Sequence, residues 1–462
     1  MARPSAADPH RVVIVGGGFA GLNAARELGP DAGVDVTLVD RHNYHLFQPL
    51  LYQVATGALS PGEIAQPLRA ILRRQRNTRV LLGEAVDLDP QRREVRLGDG
   101  GSAPYDSLIV ACGSTHSYFG NDEWARHAPG LKTVDDATEV RRRIFVAFEA
   151  AEREARPDLR AAWMTFVIVG GGPTGVELAG ALGEIANDTL RRDFRAIHPP
   201  DARIILVETD DRVLPPYPPE VSRAAERQLR RLGVDLRTSS RVVGVDGDGV
   251  EIESGGVRER VATHTVLWAA GVAATGFVRR VAERIGVEPD RAGRIAVGPY
   301  LHPAGREEIL VVGDAAVMQS GGRPVPGVAQ GAIQSGVHAA RIIRARLDGE
   351  QPKPFRYRDR GEVAIIGRLA GVTNVPWLGP LGRQSGFPAW FLWLFIHILY
   401  LIGFANRIVV LVRWGWSFFT HGRGHRLITG ENRLPEIDQP QPVDEPAQAS
   451  PGVQRQEREE SE

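Results

Sequence analysis

Residues 11–29, RVVIVGGGFAGLNAARELG, and residues 165–184, TFVIVGGGPTGVELAGALGE, follow one plan. An apolar, β-branched run enters three glycines, and small helix-forming residues follow. In the first copy Gly16, Gly18 and Gly21 fit G-x-G-x-x-G directly after the strand expected at Val12–Val15. Gly16 permits the tight turn, Gly18 lets a pyrophosphate approach the backbone, and Gly21 lets helix and strand pack closely. The phosphates then lie at a helix N-terminus, where free amides and the dipole favour negative charge. Asp40 ends the next apolar run, VDVTLVD, about twenty residues on, where a carboxylate meets a ribose hydroxyl. Glycine spacing alone is weak; strand, glycines, helix and acid together mark a dinucleotide site.

Gly170, Gly172 and Gly175 repeat the pattern after Thr165–Val169, and Glu208, closing RIILVE, is the matching acid. It arrives late, so the intervening helix is expected to be longer. An acid there bonds a free 2′-hydroxyl and repels a 2′-phosphate, favouring NAD over NADP. The plain alternative is a glutamate facing solvent. Further apolar runs end in small residues: DSLIVACG (106–113), THTVLWAAG (263–271, closing on Gly271) and EILVVGDAA (308–316). Parallel strands covered on both faces read this way. Amphipathic stretches such as DDATEVRRRIFVAFEAAERE alternate with them, and LPPYPPE at 214–220 is a proline-stiffened loop. The fold expected is α/β, with two Rossmann-like dinucleotide-binding domains. Two such sites on one chain imply electron traffic between cofactors, with a flavin carrying the chemistry.

The chain has 462 residues, enough for two or three domains, and 56 basic residues balance 56 acidic ones, so charge argues for no nucleic-acid partner. The single cysteine, Cys112, excludes an intramolecular disulfide or a dithiol centre and reads as a small core residue. His42, His45 and His397 are scattered without metal-ligand spacing, so no metal is expected. The opening MARPSAADPHRVVIVGGG lacks a signal peptide's long apolar core, so the body is expected to stay in the cytoplasm.

Near the C-terminus, FPAWFLWLFIHILYLIGFANRIVVLVRWGW (387–416) stands apart. From Gly386 to Asn406 there are 21 consecutive uncharged residues, long enough to span a bilayer. Against a crossing, aromatic rings recur throughout, His397 and Asn406 are polar, and Arg413 interrupts the next apolar run. Between Glu362 and Glu431 there is no acid, but there are Arg368, Arg383, Arg407, Arg413, Arg423 and Arg426. Each basic residue near anionic lipid contributes about 1 kcal/mol. These features favour amphipathic helices lying in the membrane plane, with the tryptophans and arginines on the lipid side. From Glu431 the chain is acidic and proline-rich, and a disordered tail is expected.

The pieces GGGFAGL, the ACG and AAG strand ends and VVGDAA resemble the two-dinucleotide-binding flavoproteins. NYHLFQPLLYQVATG (43–57), GGGPTGVELAG (170–180), PGVAQGAIQSG (326–336) and WLFIHILYLIGFANRI (393–408) narrow the resemblance to the type II NADH:quinone oxidoreductases, over residues 11 to 430 or so. That resemblance implies FAD bound by Gly16, Gly18, Gly21, Asp40 and Asp314, with Gln48, Pro49 and Leu50 beside the isoalloxazine. It implies NADH as substrate at Gly170, Gly172, Gly175 and Glu208, with Gly271 also at the cofactors. Ala329 to Gln334 resembles the family's quinone segment, with Gln330 and Gln334 near flavin and quinone. Glu177 resembles the family's glutamate near nicotinamide and flavin, where it either relays a proton or caps the NAD-binding helix. Arg360 and Ala405 depart from the family, which often has basic residues there, lysine at the former.

The implied architecture is an FAD domain at 1–115 and 291–360, an NADH domain at 116–290, a membrane-anchoring region at 361–430 and a tail at 431–462. The implied reaction passes a hydride to the flavin, then two electrons to menaquinone or ubiquinone. It runs without proton pumping, on a monotopic homodimer bound to lipids at the cytoplasmic face of the cell membrane. Two rivals share the glycine loops: a soluble NAD(P)H-dependent ferredoxin reductase and a non-catalytic, NADH-sensing membrane flavoprotein. Disulfide reductases and sulfide:quinone oxidoreductases use paired cysteines, which this chain lacks.

Overall fold

A computed structural model describes residues 9–401, 407–412, 414–415 and 424–430. The expected tail at 431–462, and Ala405, Asn406, Arg413 and Arg423, lie outside these residues.

The chain opens with β1 (His10–Val15), α1 (Phe19–Leu28), β2 (Val34–Asp40), the short helix α2 (Leu51–Ala55), β3 (Thr78–Leu82) and β4 (Ser107–Val110). It crosses to a second unit along β5 (Ser114–His116) and continues through α3 (Val134–Arg153), β6 (Thr165–Val169), α4 (Pro173–Glu184), β7 (Arg203–Val207), β8 (Val234–Arg237) and β9 (Thr265–Trp268). It returns along β10 (Val272–Ala274), α5 (Gly276–Ile285), β11 (Ile309–Val311) and α6 (Ala329–Leu347). The first sheet is parallel in the order β11-β4-β1-β2-β3, the second parallel in the order β8-β7-β6-β9. Valine and isoleucine dominate the central strands because helices cover both faces, as the apolar runs require.

The two units are joined where β5 and β10 pair antiparallel, Ser114 opposite Ala274 and His116 opposite Val272. Phe277, Val278, Val281 and Ala282 of α5 pack into the core built on β1 and β4. The second unit therefore ends at β10, ahead of the boundary expected at 290, because the helix after the crossing buries its apolar face in the first unit's core, against residues 85–89. α3 starts from a capping box in which Thr133 Oγ1 accepts from the Asp136 amide at 3.1 Å and the Asp136 carboxylate accepts from Thr133 N at 2.9 Å.

A third sheet, β12 (Glu362–Gly367), β13 (Ala370–Asn374) and β14 (Ser385–Gly386), is antiparallel and lies against α4. It leads into α7 (Phe387–Tyr400), which buries Ala389, Trp393 and His397 and places Trp393 in the core shared with the second unit. α7 has 14 residues, about 21 Å of helix, against roughly 30 Å of hydrocarbon. It stops because Leu401 turns extended, and Arg407 then caps the carbonyls of Leu401 (2.6 Å) and Leu399 (2.8 Å). Among the described residues no helix is long and apolar enough to cross a membrane.

Two expectations for this region are corrected. Trp393 is 1 % exposed and belongs to the core rather than to a lipid-facing surface. Arg383 pairs with Glu220 at 3.0 Å and Arg426 pairs with Asp193, so acids distant in sequence offset arginines that look unopposed along the chain.

α1 and α6 cross at Gly336, where an added Cβ would lie 2.1 Å from the Ala20 carbonyl oxygen. A backbone atom cannot rotate away. Gly336→Ala is expected to lose about 3 kcal/mol to overpacking and regain ~1 kcal/mol of helix preference, a net destabilisation of about 2 kcal/mol read from the denaturant midpoint.

Candidate active site

A cavity of about 620 Å³ runs along the C-terminal ends of β1, β2 and β4, within the size range of cofactor sites. At one end is the first glycine loop. Gly16 has φ +107°, and a Cβ there would lie 2.3 Å from the Ala111 carbonyl oxygen. A Cβ at Gly21 would lie 1.8 Å from the Gly16 oxygen, so strand and helix meet only without side chains. Gly18 faces open space. Asp40 reaches back to this loop: Oδ2 accepts from Gly17 N at 2.5 Å and Oδ1 from His42 N at 2.6 Å. Beneath it, the Gly17 carbonyl accepts from His45 Nδ1 at 3.0 Å, and burial lowers the His45 pKa, keeping the ring neutral.

The second loop is built the same way. Gly170 has φ +105°, a Cβ at Gly175 would lie 1.8 Å from the Gly170 oxygen, and Gly172 faces open space. Glu208 Oε2 accepts from Gly171 N at 2.6 Å, and Oε1 accepts from Thr209 Oγ1 at 2.9 Å and Asp210 N at 3.0 Å. Glu208 is buried, which removes the solvent-facing alternative. Its late arrival is not due mainly to a longer helix, since α4 has 12 residues and α1 has 10. The extra chain goes into a π-helical turn at Ile185–Thr189 and the loop after it. The proline-stiffened loop joins this site, with Leu214 N donating to the Gly171 oxygen at 2.8 Å.

Gln48 and Pro49 also line the wall, with Leu51 and Tyr52; Leu50 turns into the core with no exposed surface. Asp314 lines the wall and accepts from Ser114 Oγ at 2.9 Å. Ala329 and Ala332 of α6 also face the cavity, whereas Gln330 and Gln334 lie on the adjoining helix face. The Gln334 amide is occupied by the backbone of Arg358, donating to its oxygen at 3.0 Å and accepting from its nitrogen at 2.9 Å. Gly271, with φ +68°, lies at the turn from β9 to β10, where a Cβ would meet the Phe119 ring at 2.5 Å. The first set of residues fits FAD: a side-chain-free turn at the start of α1 that can receive a pyrophosphate, with the carboxylates of Asp40 and Asp314 on the same cavity wall.

Glu177 lines the cavity and is buried. Burial pushes its carboxyl up to about 8, opposed weakly by the Ile365 amide at 3.4 Å. That amide belongs to β12, so the side chain reaches across to another element and does not cap α4. Cys112 is also on the wall, and burial pushes its thiol up to about 12, so it stays protonated.

Gly17 and Gly171, the middle residues of the triple glycines, belong to the two sites although the G-x-G-x-x-G pattern does not single them out. Gly17 and Gly171 both donate to the acid, and a Cβ at Gly171 would lie 2.9 Å from Glu208 Oε2. Ser114 and Lys132 carried no sequence signal, because the fold brings them to the cavity from the crossing strand and from the residue before the α3 cap.

The family described as pyridine nucleotide-disulphide oxidoreductase matches residues 10–336. The type II NADH:quinone oxidoreductase Ndh of Mycobacterium tuberculosis is 46% identical over 437 residues, covering 93% of this chain and 92% of that protein. NdhA of the same organism is 47% identical over 431 residues, covering 91% and 90%. Among solved structures, NDH2 from Plasmodium falciparum in complex with NADH superposes with a TM-score of 0.81 at 20% identity, over 90% of this chain and 99% of that one. At that identity the superposition speaks for the fold. With the sequence matches beside it, the chain belongs to the pyridine nucleotide-disulphide oxidoreductase family and, within it, to the type II NADH:quinone oxidoreductases.

Proposed function

We propose that this chain oxidises NADH and reduces a membrane quinone, using FAD as the relay, without pumping protons. The observation that carries the reading is the pair of glycine loops, each with a carboxylate on its middle amide, in one chain with a buried acid between the cofactor cavity and the C-terminal sheet. In this reading Gly16, Gly18 and Gly21 receive the FAD pyrophosphate at the start of α1, Asp40 the ribose, and Asp314 the ribityl chain. Gly170, Gly172, Gly175 and Glu208 receive NADH, with Gly271 at the crossing. FAD, when bound, supplies the two-electron step between NADH C4 and the quinone. The loops align the two rings and exclude water. Glu177 holds a proton at neutral pH beside the reacting groups, as quinone reduction requires, and residues 329–334 with Gln330 and Gln334 border the quinone.

The membrane side of the proposal rests on exposed apolar residues. Phe387, Phe391, Phe395 and Leu399 recur every four residues along α7 and are exposed, opposite the buried Trp393 face. Trp377, 69 % exposed, with Leu378 and Leu381, extends the patch from the preceding turn. A patch of this kind suits in-plane binding to the cytoplasmic leaflet and delivery of a lipid-soluble acceptor. The homodimer expected from the family completes the proposal.

FAD-loaded protein is expected to oxidise NADH with a short-chain quinone and not with ferredoxin; turnover with ferredoxin alone, or none with quinone, rejects the reading. Trp377→Glu with Leu381→Glu is expected to lower cosedimentation with anionic vesicles about tenfold while leaving soluble-quinone turnover intact. Glu177→Gln is expected to slow quinone-dependent turnover by about 10²-fold. An acid whose folded pKa is raised stabilises the fold fully below its unfolded value of 4.5 and loses that contribution as pH rises through about 8. The wild-type melting temperature should carry this fall between those limits, and Glu177→Gln should remove it.

A further inference from the structure

Lys132 lies immediately before the α3 cap and lines the cofactor cavity. Its carbonyl accepts from Gln48 Nε2 at 2.9 Å, so its backbone is tied to the Gln48–Leu50 turn. Its ammonium donates to Ser114 Oγ at 3.2 Å, and that hydroxyl donates to Asp314 at 2.9 Å. An ammonium has three donors, and a half-buried one held by a single neutral hydroxyl has capacity for an acceptor from the cavity's occupant. Burial lowers the Lys132 pKa, and Asp314 opposes that shift.

The other charges on the wall leave this position open. Arg41 follows Asp40 at the phosphate end, and besides Lys132 it is the one lysine or arginine among the wall residues. Asp136 is occupied by the amides of Lys132 and Thr133 and by His116 Nε2 at 3.1 Å. Glu177 is held protonated by burial. Hydride transfer moves one proton and two electrons from NADH C4 to flavin N5, leaves NAD⁺, and adds one negative charge to the isoalloxazine. The quinone then takes those two electrons, the N5 proton and one proton from solvent, and the charge is lost. A fixed cation beside that ring stabilises the charged state selectively, because a low-dielectric wall screens it poorly.

We propose that Lys132 is the residue that stabilises the negative charge of the two-electron-reduced flavin and so sets its reduction potential. The inference rests on the FAD reading of the cavity, and FAD content separates the two. Lys132→Met and Lys132→Arg holoenzymes are first assayed for FAD per chain by absorbance; wild type without FAD would reject the cofactor reading itself. With FAD in place, Lys132→Met is expected to disfavour the reduced form at least tenfold, a fall of 29.6 mV in the two-electron midpoint potential. It should also weaken the flavin–sulfite adduct at least tenfold, since that adduct is anionic too, while Lys132→Arg keeps both within threefold. An FAD-loaded Lys132→Met with unchanged potential and sulfite affinity overturns the proposal and leaves a structural lysine. Weaker FAD binding with an unchanged potential also overturns it, assigning the lysine to holding the cofactor. If Lys132→Met retains no FAD, the wild type decides. Its potential should follow one proton per two electrons down through the range in which free reduced flavin takes up its second proton, and a two-proton slope there overturns the proposal.

Discussion

In each nucleotide-binding unit a carboxylate at the end of one strand grips the amide in the middle of the neighbouring glycine turn. Asp40 on Gly17 and Glu208 on Gly171 are charge-assisted bonds of 2.5 and 2.6 Å. They fix the path of the loop and hold an acid beside the glycine turn. Strand register places the acid: Val15 pairs with Val39, and Val169 with Val207, so Asp40 and Glu208 emerge level with the glycines. The remaining features of the site, from the helix N-terminus to the cavity beyond it, are positioned relative to that turn.

The C-terminal sheet couples the second unit to the apolar surface through one helix. Gly180 of α4 lies so close to β12 that a Cβ would approach the Ile366 oxygen to 1.6 Å. One turn earlier Glu177 meets the Ile365 amide, and one turn later Glu184 accepts from the Arg368 amide. Three positions on one face of α4 thus meet backbone groups of Ile365 and Ile366 in β12 and of Arg368 just after it. The helix that starts at the second glycine loop also carries the buried acid and supports the sheet leading into α7. The aromatic packing of Trp393 on His397, and of His397 on Phe47 just before the Gln48–Leu50 turn, continues this contact toward the cavity.

Much of this was legible along the chain because the signals are local. A β-branched run ending in G-x-G-x-x-G needs no distant partner to be read, since turn, helix start and acid all fall within one βαβ unit. The two parallel sheets, Asp40 and Glu208 follow from such runs, whereas Gln330 and Gln334 were singled out by the family resemblance of their segment. Less legible were features that depend on crossings between units. The return at β10 precedes the expected boundary because α5 buries Phe277 and Val281 on the first core. The pairing of Arg383 with Glu220 is invisible in a stretch that contains no acid of its own.

The sequence by itself determined the class of fold, the two dinucleotide loops and the family, because glycine spacing and strand composition are set by backbone sterics within a few residues. Tertiary structure alone decided which face of the apolar C-terminal stretch is outside, since Trp393 and Phe391 are both large, apolar and aromatic, and only packing on β12 and β13 separates them. It also decided that Glu177 stays protonated and that Lys132 stands beside Asp314. Burial and the convergence of distant strands control charge, and neither is written at a single position of the chain.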